Sequence, residues 1–237
     1  MSIFRFKQFS IDQNITSMKV GTDGVLLGAW ISEAANVTNI LDIGTGTGLI
    51  ALMLAQKFSS ASIEAIDIDE AAVLQARGNA ENTEWKKRIR MEHIALEDYI
   101  ISNKKKFAII SCNPPYFIKG WKIENEQRKK ARDAEHLPFE QLIEVAIKCL
   151  ADRGSLNLIL PLEEGKNIMA QVDSAGLYCK RKTTVYTKAG QAAKRFLLEI
   201  VRYPVNTFNA DLIIENEGLN NFTEEYKQLT RDFYLNF

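Results

Sequence analysis

The stretch that most restricts this chain is Leu41-Asp42-Ile43-Gly44-Thr45-Gly46-Thr47-Gly48, an apolar strand ending that runs into three alternating glycines. Glycine tolerates positive φ and lets another molecule approach the backbone without a Cβ in the way. The spacing is G-x-G-x-G, not the G-x-G-x-x-G of dinucleotide phosphate binding, and no Gly-Lys-Ser/Thr follows it. The pattern therefore suits a zwitterionic tail better than a phosphate, for which a helix N-terminus must point at the anion. Asp67 stands about 20 residues further on at the end of the next apolar run, where a carboxylate can accept both hydroxyls of a ribose. Ile68 beside it offers a face for a flat ring. Without a ligand, the same residues would read as a tight strand-to-helix turn and a helix cap.

Around that loop, strand-like and helix-like runs alternate. Asn39–Ile43, Ile63–Ile68, Ile89–Ile94, Phe107–Cys112 and Ser155–Leu160 read as strands. Leu49–Lys57, Asp69–Glu81 with Asp69 as cap, Phe139–Leu150 and Glu163–Ser174 read as helices. Two β-rich runs follow, Arg181–Thr187 and Arg195–Tyr203. The alternation predicts an α/β fold, a doubly wound, mostly parallel sheet of about seven strands with helices on both faces. Such sheets bind ligands beyond the carboxyl ends of their strands. The expected organisation is one domain: an N-terminal extension over residues 1–38, a core over 39–204, and a C-terminal tail over 205–237. Phe4, Phe6 and Phe9 suggest a short strand or hairpin in the extension. Thr22 or Asp23 is expected to cap a helix running to Trp30. In the tail, Phe222, Tyr226, Leu229 and Phe233 recur at helical spacing.

The second informative stretch is Asn113-Pro114-Pro115-Tyr116, directly after Phe107–Cys112. Two prolines fix φ and remove two N–H donors, and Asn113 before a proline is held extended. The loop is rigid and keeps two acceptors, the Asn113 amide oxygen and the Pro114 carbonyl. A planar exocyclic NH2 is a weak nucleophile because its lone pair is delocalised. Two acceptors gripping its hydrogens favour the pyramidal form, a preorganised electrostatic contribution felt mainly in the transition state. Tyr116 supplies a flat face for a base, worth roughly 1–3 kcal/mol. His93 and His136 are the two histidines of the chain, and this chemistry uses neither.

The equal counts of 30 basic and 30 acidic residues attract no polyanion by net charge, so local clusters matter more. Phe117, Lys119, Trp121, Lys122, Arg128, Lys129, Lys130 and Arg132 follow the proline loop as a basic patch with interleaved aromatics, against Glu124 and Glu126 in the same stretch. Lys180, Arg181, Lys182, Lys188, Lys194 and Arg195 form a second run with no acid between them. Either can contact phosphates without reading sequence, or be a solvated face. Cys112, Cys149 and Cys179, an odd count without close pairs, read as buried thiols rather than a disulfide framework or a zinc site, and no metal is expected. The N-terminus lacks the apolar core of a signal peptide, which points to the cytoplasm.

The two loops together resemble class I S-adenosylmethionine-dependent methyltransferases acting on amino nitrogens. Phe6-Lys7-Gln8-Phe9, the block from Met18 to Trp30, Asn113 to Phe117, Gln127-Arg128 with Ala131-Arg132, and Phe233-Tyr234-Leu235 are similar to one subfamily, the bacterial tRNA1(Val) adenine-37 N6-methyltransferases. The likeness covers nearly the full length. It implies S-adenosyl-L-methionine as cofactor, and the anticodon loop of a valine tRNA as partner with the adenine 3′ of the anticodon as target. It places Asn113, Pro114, Pro115 and Tyr116 at the target base. It places Lys19, Thr22, Asp42, Gly44, Gly46, Gly48, Asp67, Ile68 and Asn113 around the cofactor, and turns Lys19 to Asp23 from a plain helix start into a lid. Phe117, Lys119, Arg128, Lys129 and Arg132 are the expected RNA contacts. Ala95 departs from the pattern, since related enzymes often carry an acid there for the cofactor's adenine. Three enzymatic alternatives share the chemistry: N6-adenine methylation of rRNA or DNA, and N5 methylation of protein glutamine. An RNA-binding protein that retains the fold is the non-enzymatic one.

Overall fold

The structure, a computed structural model, describes residues 3–16, 19–33, 36–114, 139–218 and 220–237. Among these, a short antiparallel hairpin, β1 (Ile3–Arg5) and β2 (Ser10–Asp12), precedes helix α1 (Thr22–Trp30). The core then alternates: β3 (Asn39–Ile43), α2 (Leu49–Lys57), β4 (Ser62–Asp67), α3 (Glu70–Glu81), β5 (Ile89–His93), α4 (Leu96–Ser102) and β6 (Phe107–Cys112). It continues through α5 (Phe139–Cys149), β7 (Leu150–Pro161), α6 (Leu162–Ser174), β8 (Tyr178–Lys188), β9 (Arg195–Val201), β10 (Phe208–Glu215) and α7 (Glu224–Thr230).

Strands β3 to β10 form one sheet in the order β10-β8-β9-β7-β6-β3-β4-β5. Pairs from β5 to β7 are parallel; β9 runs antiparallel to both β7 and β8; β10 lies parallel to β8. The chain builds outward through β3, β4 and β5, then returns to place β6 on the other side of β3. That reversal is a topological switch point, where open α/β sheets form a crevice at the strands' carboxyl ends.

Two apolar layers enclose the sheet. On one face α1 and α2 pack Leu26, Leu27, Leu52, Met53 and Leu54, all fully buried, and α3 adds Val73 and Ala76. α2 buries every residue from Leu49 to Ala55, because α1 covers the side that a surface helix would turn to water. On the other face Tyr99, Leu142, Val145, Leu156 and Ile168 form the second layer.

The structure departs from the sequence expectation at particular points. Neither Thr22 nor Asp23 caps α1: Gly21 is the N-cap, with extended backbone and no side-chain cap bond, and the Asp23 carboxylate is drawn instead to Arg195 Nε at 2.9 Å. Leu150 belongs to β7 rather than to the preceding helix. The tail is not helix alone, since Phe208–Glu215 adds an edge strand before α7. An edge strand pairs on one side and leaves side chains such as Phe208 (65% exposed) in water, so its sequence lacks the apolar run of inner strands. Helix α4 is a second addition, carrying Leu96, Tyr99 and Ile100 inward from a charged first turn. Asp69 does cap α3, accepting from Ala71 N–H at 2.9 Å, and the three cysteines are free and buried.

Candidate active site

The glycine loop leaves β3 and is tied to the end of β4 by its own backbone. Gly44 and Thr45 N–H donate to Ile66 O at 2.9 and 3.1 Å, and Gly46 N–H donates to Asp67 Oδ2 at 2.8 Å. Asp67 Oδ1 accepts from Asp69 N–H at 3.0 Å, so this carboxylate fastens both the loop and the start of α3. Burial pushes the Asp67 carboxyl above its ordinary pKa, against the lowering effect of those N–H donors.

The three glycines have different tasks. All have positive φ, at 65°, 55° and 82°. A Cβ on Gly44 or Gly46 would meet nothing within 4 Å. A Cβ on Gly48 would press on Ala76 at 3.2 Å and Met91 at 3.3 Å. Gly44 and Gly46 thus open onto space, while Gly48, the N-cap of α2, lets the helix close on the core.

That space is a cavity of about 360 Å³ at the switch point. Gly44 to Thr47 form one wall, Lys19 to Gly24 a second, and Asn113 a third. The structure thus brings Lys19, Thr22, Gly44, Gly46 and Asn113 together. Four expected cofactor residues do not line it: Asp42, which is fully buried, Gly48, Asp67 at the end of β4, and Ile68, which is exposed. Pro114 is buried next to Asn113. Pro115, Tyr116, Phe117, Lys119, Arg128, Lys129 and Arg132 lie outside the described residues. Thr45, Thr47, Gly24, Leu49 and Ile50 join the lining without having been assigned to the site from the sequence.

Asp42 is fully buried and joins the two halves of the site. Its Oδ2 accepts from Thr45 Oγ1 at 2.7 Å, and its Oδ1 from Ser111 Oγ at 2.8 Å. Ser111 faces Asp42 across the β3–β6 pairing and stands two residues before Asn113. One carboxylate thereby sets the glycine loop against the strand that delivers the proline loop. Burial pushes its pKa from 3.8 up to about 6, and the neighbouring Asp67 charge adds to this, partly offset by the Thr45 and Ser111 hydroxyls. A carboxyl whose pKa is raised in the folded state loses stability as pH climbs from its unfolded to its folded pKa. Asp42→Asn should therefore flatten the fall in thermal stability between about pH 4 and pH 6, an effect on the order of 3 kcal/mol. A pH series of melting temperatures for both proteins checks it, and equal slopes would refute it.

The N-terminal wall is held by Asn79 and Gln13, which sequence reading missed, together with Lys19, which it had placed in the lid. Asn79, buried on α3, donates from Nδ2 to Asp12 O and to Thr47 O, both at 2.9 Å, and its Oδ1 accepts from Asp12 N–H at 2.9 Å. Gln13 Oε1 accepts from Val20 N–H at 2.7 Å. Lys19 Nζ donates to Gln13 O and to Thr16 O. The segment thus packs over the glycine loop through side chain–backbone bonds, those of Asn79 reaching Asp12, 67 residues away, and Thr47, 32 residues away.

One polar atom here lacks a partner. Asn113 Oδ1 is buried and accepts no hydrogen bond among the described residues. Burying an amide oxygen without a donor costs about 1–3 kcal/mol. An acceptor left open at a cavity wall fits a site whose donor arrives with a ligand.

The second basic run is largely neutralised within the fold. Lys180 and Arg181 pair with Glu199 at 2.7 and 3.2 Å, Lys188 with Glu215 at 3.5 Å, and Arg195 with Asp23. Those acids come from other elements, so a linear count shows none.

Comparison with known proteins agrees with this geometry. A family model described as methyltransferase small domain matches residues 20–173. A Flavobacterium psychrophilum protein named tRNA1(Val) (adenine(37)-N6)-methyltransferase is 42% identical over 233 residues, 98% of this chain and 99% of its own. A Haemophilus influenzae protein of the same name is 40% identical over 238 residues, covering both chains completely. Among solved structures, a predicted O-methyltransferase from Agrobacterium tumefaciens superposes with a TM-score of 0.69 over 89% of this chain and 96% of its own, at 20% identity, a likeness of fold. With the glycine loop, Asn113 and the switch-point cavity in one place, and full-length relatives at about 40% identity, the chain belongs to the methyltransferase small domain family and, within it, to the tRNA1(Val) (adenine(37)-N6)-methyltransferases.

Proposed function

We propose that this protein transfers a methyl group from S-adenosyl-L-methionine to the N6 amino group of an adenine in tRNA, at position 37 of the valine tRNA named for its relatives. The observation that carries the reading is the unpaired, buried Asn113 Oδ1 at the wall of a cavity whose opposite side is Gly44 to Thr47. The residues fit the cofactor: Gly44 and Gly46 open onto space, and an amide acceptor waits beside it. When bound, the cofactor supplies an electrophilic methyl group on a sulfonium.

The remaining work falls to the chain. Asn113 Oδ1 and the Pro114 carbonyl accept the two N–H groups of the substrate amine and free its lone pair, a contribution that is strongest as the nitrogen becomes tetrahedral. Tyr116 stacks on the adenine. A loop adenine leaves its stack at low cost, since it has no Watson–Crick partner to surrender. Lys19 to Asp23 close over the cofactor, and Asp67 receives its ribose. Phe117, Lys119, Arg128, Lys129 and Arg132 meet the RNA. The alternatives on rRNA, DNA or protein glutamine share every step up to the substrate, and it is the full-length relatives that favour tRNA.

The test is transfer of labelled methyl from S-adenosyl-L-methionine to separate pools of unmodified tRNA, rRNA, DNA and protein. Label in the tRNA pool is the expected result. Label confined to another pool would replace the substrate, and cofactor binding without transfer to any pool would overturn the enzymatic reading.

A further inference from the structure

A second and larger cavity, of about 910 Å³, lies on the other side of α1's first turn, and Thr22 and Asp23 line both cavities. Its walls come from the last residues of β8 and β10, the first of β9, the β1 hairpin strand and the C-terminal segment. β9 runs antiparallel to β7, so its first residues stand at the same carboxyl edge as Asn113. The sheet order puts this groove beyond β7, on the side of β6 away from the cofactor loop. A substrate whose reacting base sits at Asn113 would extend along this edge.

The groove's charge is not balanced. Its two acidic side chains are already engaged, Asp23 by Arg195 at 2.9 Å and Glu215 by Lys188 at 3.5 Å, and Phe237 O accepts from Lys7 Nζ at 2.7 Å. Arg5 and Lys194 are exposed on its rim and make no ion pair among the described residues. Phe222, Tyr234 and Phe237 border it and are each only partly buried. Exposed cations beside a cluster of partly exposed aromatic rings, packed on one another, match a polyanion with unpaired bases: the cations meet phosphates and the exposed ring faces stack on bases.

From this arrangement we infer that the groove between β1, β9 and the C-terminal segment is a docking surface for the RNA chain flanking the target adenine, with Lys194 and Arg5 as its phosphate contacts. The inference rests on the tRNA reading above and adds where the polynucleotide runs. It also gives the shared residues Thr22 and Asp23 a place between the two ligands, with Arg195 holding that turn against the groove.

The test uses the full chain carrying Arg5→Glu and Lys194→Glu together, with Lys194→Gln as a milder variant. Both positions are exposed, so the substitutions leave the core intact. Binding of a valine tRNA transcript should weaken about tenfold or more in the double variant, and the slope of log affinity against log salt should become shallower by roughly one per lost phosphate contact. KM for tRNA should rise while kcat and S-adenosyl-L-methionine affinity stay within about twofold, and Lys194→Gln should fall in between. A double variant with wild-type tRNA affinity and salt slope would overturn the docking surface while leaving the tRNA reading intact. Wild-type protein that binds no RNA at all would overturn both.

Discussion

Asn113→Ala should lower methyl transfer by about 10²–10³-fold or more, the loss seen when one preorganised hydrogen-bonding group is removed from a charge-developing centre. Affinity for tRNA should change little, because the amide grip on the substrate amine acts mainly in the transition state. The variant should fold as well as the parent or slightly better. Asn113 Oδ1 has no partner among the described residues, so its removal relieves a buried orphan rather than breaking a bond. Single-turnover rates with saturating cofactor, paired with a melting curve, read both consequences. Undiminished transfer would mean that another group activates the amine. A large loss of stability would mean that Asn113 serves the fold.

Gly46→Val should abolish measurable cofactor binding, while Gly48→Val should unfold the protein. Both positions have positive φ, where a β-branched residue is strained by about 1–3 kcal/mol. What differs is the space ahead of the side chain. At Gly46 it is the cavity, so added atoms displace the ligand and disturb the N–H that holds Asp67. At Gly48 it is Ala76 and Met91, so added atoms force α2 away from α3 and β5. Calorimetric titration with the cofactor and a thermal melt separate the two. Gly46→Val that binds the cofactor with parental affinity would move the ligand elsewhere, and Gly48→Val that melts normally would refute the packing role.

The parts of this architecture that show in the sequence are those written locally. Apolar runs with period two or near 3.6, punctuated by glycine and capped by Asp69, gave β3 to β6 with α2 and α3 nearly to the residue. The carboxyl-edge placement of both loops followed from topology. What escaped was non-local or atypical. β10 is an edge strand with a polar, half-wet sequence, and α4 is seven residues long with a charged first turn. Ser111 and Asn79 gain their importance from partners 69 and 67 residues away, Asp42 and Asp12. The basic run from Lys180 to Arg195 looked unpaired because Glu199, Glu215 and Asp23 reach it from other elements. Thr22 and Asp23 resembled caps because their chemistry suits one, yet tertiary pairing with Arg195 claimed the carboxylate and Gly21 took the cap position.

Asn113 and the glycine loop together direct methyl transfer to N6 of one tRNA adenine. The most direct measurement is nucleoside mass spectrometry of a valine tRNA transcript after incubation with the protein and S-adenosyl-L-methionine, beside a second transcript carrying guanosine at position 37. N6-methyladenosine is expected in the first transcript and none in the second. Equal methylation of both transcripts, or a product methylated at a ring nitrogen or a ribose hydroxyl, would contradict it.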